Sequence, residues 1–315
     1  MFLVTGGAGF IGTTLCDSLL SNGAQVVAYD KMSSVGRPAM GGFAGRKGFT
    51  LIKGDLLDFN DVNAAFRKYK PSAVVHLAAN PDVRKGSVDT KLDLMQGIML
   101  TYNVLEASRV NDVKDIIFPS SSVVYGLADA KPTPETYGPL KPISLYGAAK
   151  LASEGYITAF SNLYGFRYLI FRLANIVGKG MTHGVIADLV NKLSKNRSEL
   201  EVLGDGRQKK SYVDVSDCID AVLYTLSESD RSDIYNISTD DQISAGEIAR
   251  CVVDIVAKGA DIRFTGGKGG WPGDIPDSFL SNKKLKALGY KMRYSSSRDV
   301  VNKAIMDYIS NTASL

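Results

Sequence analysis

Short apolar runs alternate with amphipathic stretches through the first half of the chain. We predict strands at six of these runs: Phe2–Thr5, Val26–Tyr29, Thr50–Ile52, Ala73–Leu77, Ile116–Phe118 and Tyr168–Leu173. Because strands that alternate with helices form a parallel sheet with right-handed crossovers, the pattern predicts a doubly wound α/β fold. The runs around Val75 and Ile117 lack polar alternation, which is typical of central strands covered on both faces.

The pattern changes after about Asn175, where longer helices, scattered short strands and glycine-rich turns follow. We therefore predict two domains. The first covers residues 1–175, with return segments from about 205–240. The second is a smaller α+β domain that covers mainly residues 176–315.

The first predicted strand leads directly into a glycine-rich segment that opens a helix, Thr5-Gly6-Gly7-Ala8-Gly9-Phe10-Ile11-Gly12. Such spacing provides a tight turn, a close approach of bare backbone to a pyrophosphate, and unpaired N–H groups at a helix N-terminus. Asp30 ends the second strand, where a carboxylate accepts hydrogen bonds from a ribose and repels a 2′-phosphate. The segment predicts a Rossmann-type domain that binds NAD rather than NADP, although Lys31 and Arg37 could tolerate the extra phosphate.

Composition narrows the class of protein. With 45% hydrophobic residues and a formal net charge of +4 without long charge blocks, the chain is globular and has no nucleic-acid-binding arm. Three cysteines and two histidines without metal-ligand spacing predict free thiols and no metal site. The sequence has neither a signal-peptide pattern nor an apolar stretch of membrane-spanning length, so we expect a cytoplasmic protein without membrane contacts.

Tyr146 and Lys150 stand four residues apart at the start of a predicted helix, so their side chains share one face. A run of three serines, residues 120–122, follows the strand that ends at Phe118 and places hydroxyls at the carboxyl edge of the sheet. A tyrosine with its ordinary pKa of about 10 needs nearby positive charge to act as a base near neutral pH. Lys150 and an oxidised nicotinamide could supply that charge, so the group predicts redox chemistry on a substrate hydroxyl.

Together these motifs resemble the extended short-chain dehydrogenase/reductases, and within them the UDP-glucose 4-epimerases of the shorter archaeal type. The likeness covers nearly the whole chain. Besides the glycine loop, it is carried by Gly54-Asp55-Leu56, His76-Leu77-Ala78-Ala79, Ser120-Ser121-Ser122-Val123-Val124-Tyr125-Gly126, Tyr146-x-x-x-Lys150, Arg172-Leu173-Ala174-Asn175 and Gly204-Asp205-Gly206. The resemblance implies an enzyme that inverts C4 of a UDP-hexose by passing a hydride to NAD and back, with the second domain binding the UDP-sugar.

The resemblance also implies roles for single residues. Ser121, Tyr146 and Lys150 correspond to the catalytic triad, in which the serine hydroxyl holds the developing oxyanion. Further cofactor contacts fall on the residues after the third and fourth strands: Asp55, Leu56, Leu77, Ala78 and Ala79. Substrate contacts fall on Ser121, Ser122, Asn175, His183, Val202, Lys210 and Ser278.

Three positions depart from the family pattern. Lys210 and Trp271 stand where relatives carry arginines that bind the diphosphate, and Gly97 stands where a helix asparagine is common. A lysine keeps the charge but not the bidentate geometry of an arginine. Arg263 and Lys268 are alternative partners for the diphosphate.

Two further positions bear on reaction and substrate. Related dehydratases and decarboxylases carry an acid two residues after the catalytic Ser/Thr, where this chain has Val123, and this favours epimerisation. Ser278 stands where a bulky tyrosine restricts family members to unsubstituted hexoses. We therefore predict room for a 2-N-acetyl group.

Two predicted helices, Leu92–Ala107 and Tyr146–Leu163, carry apolar residues on more than one face. The resemblance implies that these two helices form a dimer interface, so we predict a homodimer. Two other functions stay open, namely another NAD(P)-dependent nucleotide-sugar oxidoreductase on this scaffold and a non-catalytic NAD-sensing protein. The intact triad argues against the sensor.

Overall fold

The computed structural model describes residues 1–32, 40–267 and 273–313, with side chains up to residue 311. Arg37, Lys268 and Trp271 lie outside the described residues. Contacts divide the chain into two compact units. The first comprises Met1–Gly126, Leu140–Arg172 and Leu226–Tyr235, and the second comprises Leu127–Pro139, Leu173–Thr225 and Asn236–Leu315.

The main sheet has seven strands. They are β1 Phe2–Thr5, β2 Val26–Asp30, β3 Phe49–Lys53, β4 Ala73–His76, β5 Asp115–Ser121, β6 Arg167–Leu173 and β11 Asp233–Ile237. Their order is β11-β6-β5-β4-β1-β2-β3, and β1 pairs in parallel with both β2 and β4. The predicted doubly wound α/β fold is confirmed, and β11 is a strand that the sequence pattern did not predict.

Five helices accompany these strands: α1 Phe10–Ser21, α2 Phe59–Tyr69, α3 Val83–Val88, α4 Leu100–Val110 and α5 Leu145–Tyr164. A π-helical turn at Leu94–Met99 leads into α4, and a 3-10 helix at Ser122–Tyr125 follows β5. Phe66, Leu105 and Ile116, each at most 1% exposed, belong to one apolar core cluster. Strand order reverses between β1 and β4, and open α/β sheets bind ligands at such a switch point.

The remaining strands are short: β7 Asn175–Val177, β8 Glu199–Val202, β9 Lys209–Lys210, β10 Tyr212–Asp214, β12 Ile243–Ser244, β13 Asp261–Phe264 and β14 Asp277–Ser278. The remaining helices are α6 Val185–Lys195, α7 Val215–Glu228, α8 Ala245–Val256, α9 Lys283–Ala287 and α10 Ser297–Ala313. Helix α8 begins with a capping box, in which the Ser244 hydroxyl accepts from the Glu247 N–H and the Glu247 carboxylate accepts from the Ser244 N–H. Within the described residues, no helix combines the length and the apolar character needed to cross a membrane.

Candidate active site

In the loop between β1 and α1, the backbone packs closely against the segment after β4 and against the start of α1. Gly6 has a φ of +67°, and a Cβ at this position would lie 2.8 Å from the amide nitrogen of Ala78. A Cβ on Gly12 would lie 2.2 Å from the carbonyl oxygen of Gly6. Only glycine therefore fits at these two positions.

The same loop leaves the start of α1 open. Gly9 caps this helix without a side-chain hydrogen bond, so the first helical residues, Phe10 and Ile11, keep amide groups that can serve an anion. The backbone of this loop and of the first helical turn thus fits a dinucleotide pyrophosphate. The candidate cofactor residues here are Gly6, Gly9, Phe10, Ile11 and Gly12.

Asp30 lies at the carboxyl end of β2 with its carboxylate fixed at both oxygens. Its Oδ1 accepts a hydrogen bond from the N–H of Met32 at 2.7 Å, and its Oδ2 accepts one from the N–H of Ala8 at 3.1 Å. The carboxylate is half-buried, and Lys31 beside it is exposed. This arrangement fits an adenosine ribose, as the sequence predicts.

The other candidate cofactor residues follow β3 and β4 at the same edge of the sheet: Asp55, Leu56, Leu77, Ala78 and Ala79. The backbone N–H groups of Leu77 and Ala78 donate to the carbonyl and the hydroxyl of Thr5, at 3.1 and 3.3 Å. These bonds hold the segment after β4 against the end of β1. The candidate cofactor residues therefore lie along the carboxyl ends of four neighbouring strands.

Tyr146 and Lys150 occupy the first turns of α5, which begins at an N-cap where the Ser144 hydroxyl accepts from the N–H of Gly147 at 3.1 Å. Lys150 is buried, and its Nζ donates to the carbonyl oxygen of Pro119 at 2.7 Å. The same Nζ lies 5.8 Å from the centre of the Tyr146 ring. The ammonium is thus held beside the tyrosine by a bond to the strand that carries Ser121.

Burial and neighbouring charges shift the pKa values of both Tyr146 and Lys150. Burial, and after it the charge of Asp93, raises the pKa of Tyr146 to about 12. Burial also lowers the pKa of Lys150 to about 8, partly opposed by the charge of Glu154. Positive charge placed beside the phenol in addition to that of Lys150 would make tyrosinate easier to form.

Ser121 ends β5 and starts the 3-10 helix, where its hydroxyl oxygen accepts from the N–H of Val123 at 3.4 Å. The hydroxyl hydrogen stays available for another acceptor. Ser122, the first residue of that helix, is buried.

A buried charge network behind Ser121 was missed by sequence reasoning. Glu154 accepts from the hydroxyl of Ser120 at 2.5 Å and from Nη2 of Arg172 at 2.8 Å. Both charged side chains are 5% exposed. The one available signal is the spacing of Glu154, one helical turn after Lys150 on the same face.

The first unit contains a small cavity of about 10 Å³, which is close to the space that one ordered water occupies. Its polar lining combines the Tyr146–Lys150 pair with five side chains that sequence reasoning did not select: Asn80, Asp93, Gln96, Thr101 and Ser153. Ala78 and Ala79 also line it. The structure therefore brings the acid/base pair next to the segment after β4.

His76 is a structural residue, as its apolar strand suggests. Its Nδ1 and Nε2 lie 2.7 and 3.2 Å from the hydroxyls of Thr5 and Thr101. Burial, and then the charge of Lys150, lowers the pKa of His76 to about 3, so the ring is neutral.

In the second unit, three candidate substrate residues come together through strand pairing. Lys210 and Ser278 are register partners in the parallel pair β9–β14. The N–H of Asn175 donates to the carbonyl of Ser211 at 3.2 Å, and the N–H of Ser211 donates to the carbonyl of Ser278 at 3.3 Å. Asn175, Lys210 and Ser278 therefore form one local group.

Lys210 carries an ion pair that the sequence did not reveal. Its Nζ lies 2.6 Å from Oδ1 of Asp274, and both side chains are largely buried. Arg263, the alternative partner for the diphosphate, is paired with Glu199 and Glu201. Both cations are thus already neutralised within the chain.

The other two candidate substrate residues differ in exposure. Val202 is buried, whereas the side chain of the next residue, Leu203, is exposed. His183 is exposed, with its Nδ1 3.2 Å from the Thr182 hydroxyl.

The NAD dependent epimerase/dehydratase family matches residues 2–238. The chain belongs to this family. NAD, the cofactor predicted from the glycine loop and Asp30, is confirmed by that membership, and so is the prediction of an enzyme.

Relatives extend the likeness over nearly the whole chain. The UDP-glucose 4-epimerase of Mycolicibacterium smegmatis is 30% identical over 295 residues, which cover 92% of each chain. The UDP-glucose 4-epimerase of Thermotoga maritima, solved with UDP-glucose, is 28% identical with a TM-score of 0.89 and 99% coverage of both chains. The Thermus thermophilus UDP-glucose 4-epimerase, solved with NAD, is 28% identical with a TM-score of 0.87 and 98% coverage of both.

Proposed function

We propose that this family member is a UDP-hexose 4-epimerase that acts in the cytoplasm on UDP-glucose and UDP-galactose or their N-acetylated forms. The observation that carries the proposal is the buried Lys150, which is bonded to the strand of Ser121 and lies 5.8 Å from the ring of Tyr146. Relatives with this activity cover nearly the full chain. Three buried free thiols are consistent with a reducing compartment.

The proposed chemistry assigns one task to each side chain. When bound, NAD would supply reversible hydride transfer at C4 of the sugar. Tyr146 takes the proton of the 4-hydroxyl and later gives it back, while the hydroxyl of Ser121 donates to the oxygen as its charge develops. Lys150 supplies positive charge beside the tyrosine ring.

The cofactor would be held along the carboxyl edge of the sheet. Gly6, Gly9 and Gly12 allow the pyrophosphate to approach, with the amides of Phe10 and Ile11 as donors. Asp30 accepts from the ribose beside Lys31, and the residues after the next two strands enclose the rest of the cofactor: Asp55, Leu56, Leu77, Ala78 and Ala79.

The substrate would be held by the group of Asn175, Lys210 and Ser278, together with Ser122, His183 and the segment around Val202. Because Asp274 neutralises Lys210, we propose that this lysine positions the diphosphate rather than balancing its full charge. Val123 offers no acid for dehydration, which supports epimerisation over the reactions of dehydratase relatives.

The epimerase and a net oxidoreductase differ in what happens to the hydride. An epimerase returns it within each cycle, so we expect UDP-galactose to be converted without added NAD and without lasting NADH absorbance. Accumulation of NADH in step with substrate loss would instead establish the oxidoreductase.

Ser278 is expected to set which sugars are accepted. We predict that Ser278→Tyr lowers kcat/KM for UDP-N-acetylglucosamine by about tenfold or more and changes it little for UDP-glucose, because a bulky ring removes space beside C2. The matched control is Ser278→Ala, which keeps the space. Equal losses for both sugars would contradict the assignment.

We also propose a homodimer. The π-helical turn and α5 carry large apolar side chains that are at least 36% exposed: Leu94, Met95, Met99, Leu145, Tyr156, Leu163 and Tyr164. Large apolar side chains exposed on neighbouring helical elements are typical of an interface. Light scattering at micromolar concentration should give twice the mass of 33.9 kDa, and Tyr156→Glu should shift the protein toward the monomer. A monomeric wild-type protein would contradict the proposal.

A further inference from the structure

Asp93 is a buried acid beside the proposed catalytic pair, and neither the sequence motifs nor the proposed reaction gives it a role. It directly precedes the π-helical turn and is 2% exposed. Its Oδ1 accepts from Nδ2 of Asn80 at 3.0 Å, but among the described residues its Oδ2 has no hydrogen-bond partner. A buried carboxylate oxygen without a donor is costly, which indicates that the acid serves a purpose other than stability.

Gly86 in α3 makes room for this carboxyl group. A Cβ on Gly86 would lie 1.9 Å from Oδ2 of Asp93, so a larger residue there would displace the acid. The glycine leaves the space without supplying a donor. Within the part of the chain that the structure describes, packing and the hydrogen bond from Asn80 thus keep the carboxyl group of Asp93 in place.

Asp93 lines the same small cavity as Tyr146 and Lys150. Its charge opposes the ionisation of Tyr146, and burial raises the pKa of Asp93 itself. On β4, His76 is neutral in the folded protein. The other ionisable side chains of α3 and of the segment that leads to Asp93 lie at or near the surface: Asp82, Arg84, Lys85, Asp89 and Lys91.

We propose that Asp93 is a positioning residue of the active site that keeps the proton on Tyr146 until positive charge is brought beside the tyrosine. This inference rests on the proposed role of Tyr146 as acid and base. A carboxylate beside the phenol disfavours tyrosinate, so the proton taken from the sugar stays on Tyr146 while the keto sugar turns over. Removal of the carboxylate would make tyrosinate easier to form at all stages of the cycle.

The test is a spectroscopic titration of tyrosinate in the NAD-loaded enzyme, as purified. Subtracting the titration of Tyr146→Phe isolates the signal of Tyr146, and the same subtraction is made in the Asp93→Asn background. We expect the titration midpoint of Tyr146 to move to lower pH by about one unit in Asp93→Asn. The acid limb of the pH profile of kcat should move to lower pH by a similar amount. Asp89→Asn, an exposed acid of the same segment, should leave the midpoint unchanged.

An unchanged midpoint in Asp93→Asn, or one that rises, would overturn the inference. If this variant does not fold, Asp93→Ser removes the charge with a smaller side chain and must give the same downward shift. Failure of the proposed function looks different, because Tyr146→Phe would then keep its turnover whatever Asp93→Asn does.

Discussion

Tyr146→Phe is expected to lower turnover of UDP-galactose by about 10³-fold or more while the protein keeps its NAD. The variant removes the one group that takes and returns the proton of the 4-hydroxyl, and proton transfer of this kind contributes on the order of 10²–10⁴-fold. The ring stays in place, and Lys150 keeps its bond to the carbonyl of Pro119 at 2.7 Å. Cofactor binding should therefore persist.

The measurement combines steady-state turnover with quantification of NAD released from the denatured protein. Tyr156→Phe is the matched control, because it removes a hydroxyl from the same helix at a residue that is 45% exposed. This control should keep wild-type turnover. A Tyr146→Phe enzyme that retains a tenth of wild-type kcat would mean that another group is the acid and base.

Glu154→Gln is expected to reduce the free energy of unfolding by about 3–5 kcal/mol, because it removes the carboxylate that is ion-paired with a buried arginine. Glu154 and Arg172 are each 5% exposed and lie 2.8 Å apart. The substitution should also lower the catalytic activity. Glu154 accepts a hydrogen bond from Ser120, the residue before Ser121, and its negative charge helps Lys150 to keep its proton. We expect kcat to fall at neutral pH.

Denaturant unfolding followed by far-UV circular dichroism measures this effect. The control is Glu106→Gln, which breaks a more exposed pair with Arg109 and should cost less than about 1 kcal/mol. The double variant Glu154→Leu with Arg172→Met removes both charges and should recover most of the stability, since apolar replacements of buried pairs are often neutral. If Glu154→Gln lowers the free energy of unfolding by less than about 1 kcal/mol, the ion pair contributes less to stability than we expect.

The sequence predicts local structure well where the physical cause is local. Strand β1 and the glycine loop follow from an apolar run and from positions where a side chain has no room, as at Gly6 and Gly12. Lys150 is placed beside Tyr146 by helical spacing alone. Asp30 is found at the end of β2 because it directly follows the apolar run that forms this strand.

Contacts between distant residues do not appear in such patterns. Glu154 meets Ser120, 34 residues away, only because α5 packs behind β5. Lys210 meets Asp274, 64 residues away, through the pairing of short strands that carry no clear periodicity. The π-helical turn before α4 interrupts a stretch that reads as one continuous helix, because hydrogen-bond register leaves no mark on apolar spacing.

The central claim is inversion at C4, and proton NMR of the purified protein with UDP-galactose tests it most directly. The anomeric signals and the ring couplings at C4 distinguish the two epimers, and no cofactor is added. The account predicts that UDP-glucose appears and reaches equilibrium with UDP-galactose without lasting NADH absorbance. Unchanged spectra for both UDP-galactose and UDP-N-acetylglucosamine, from protein that carries NAD, would contradict it.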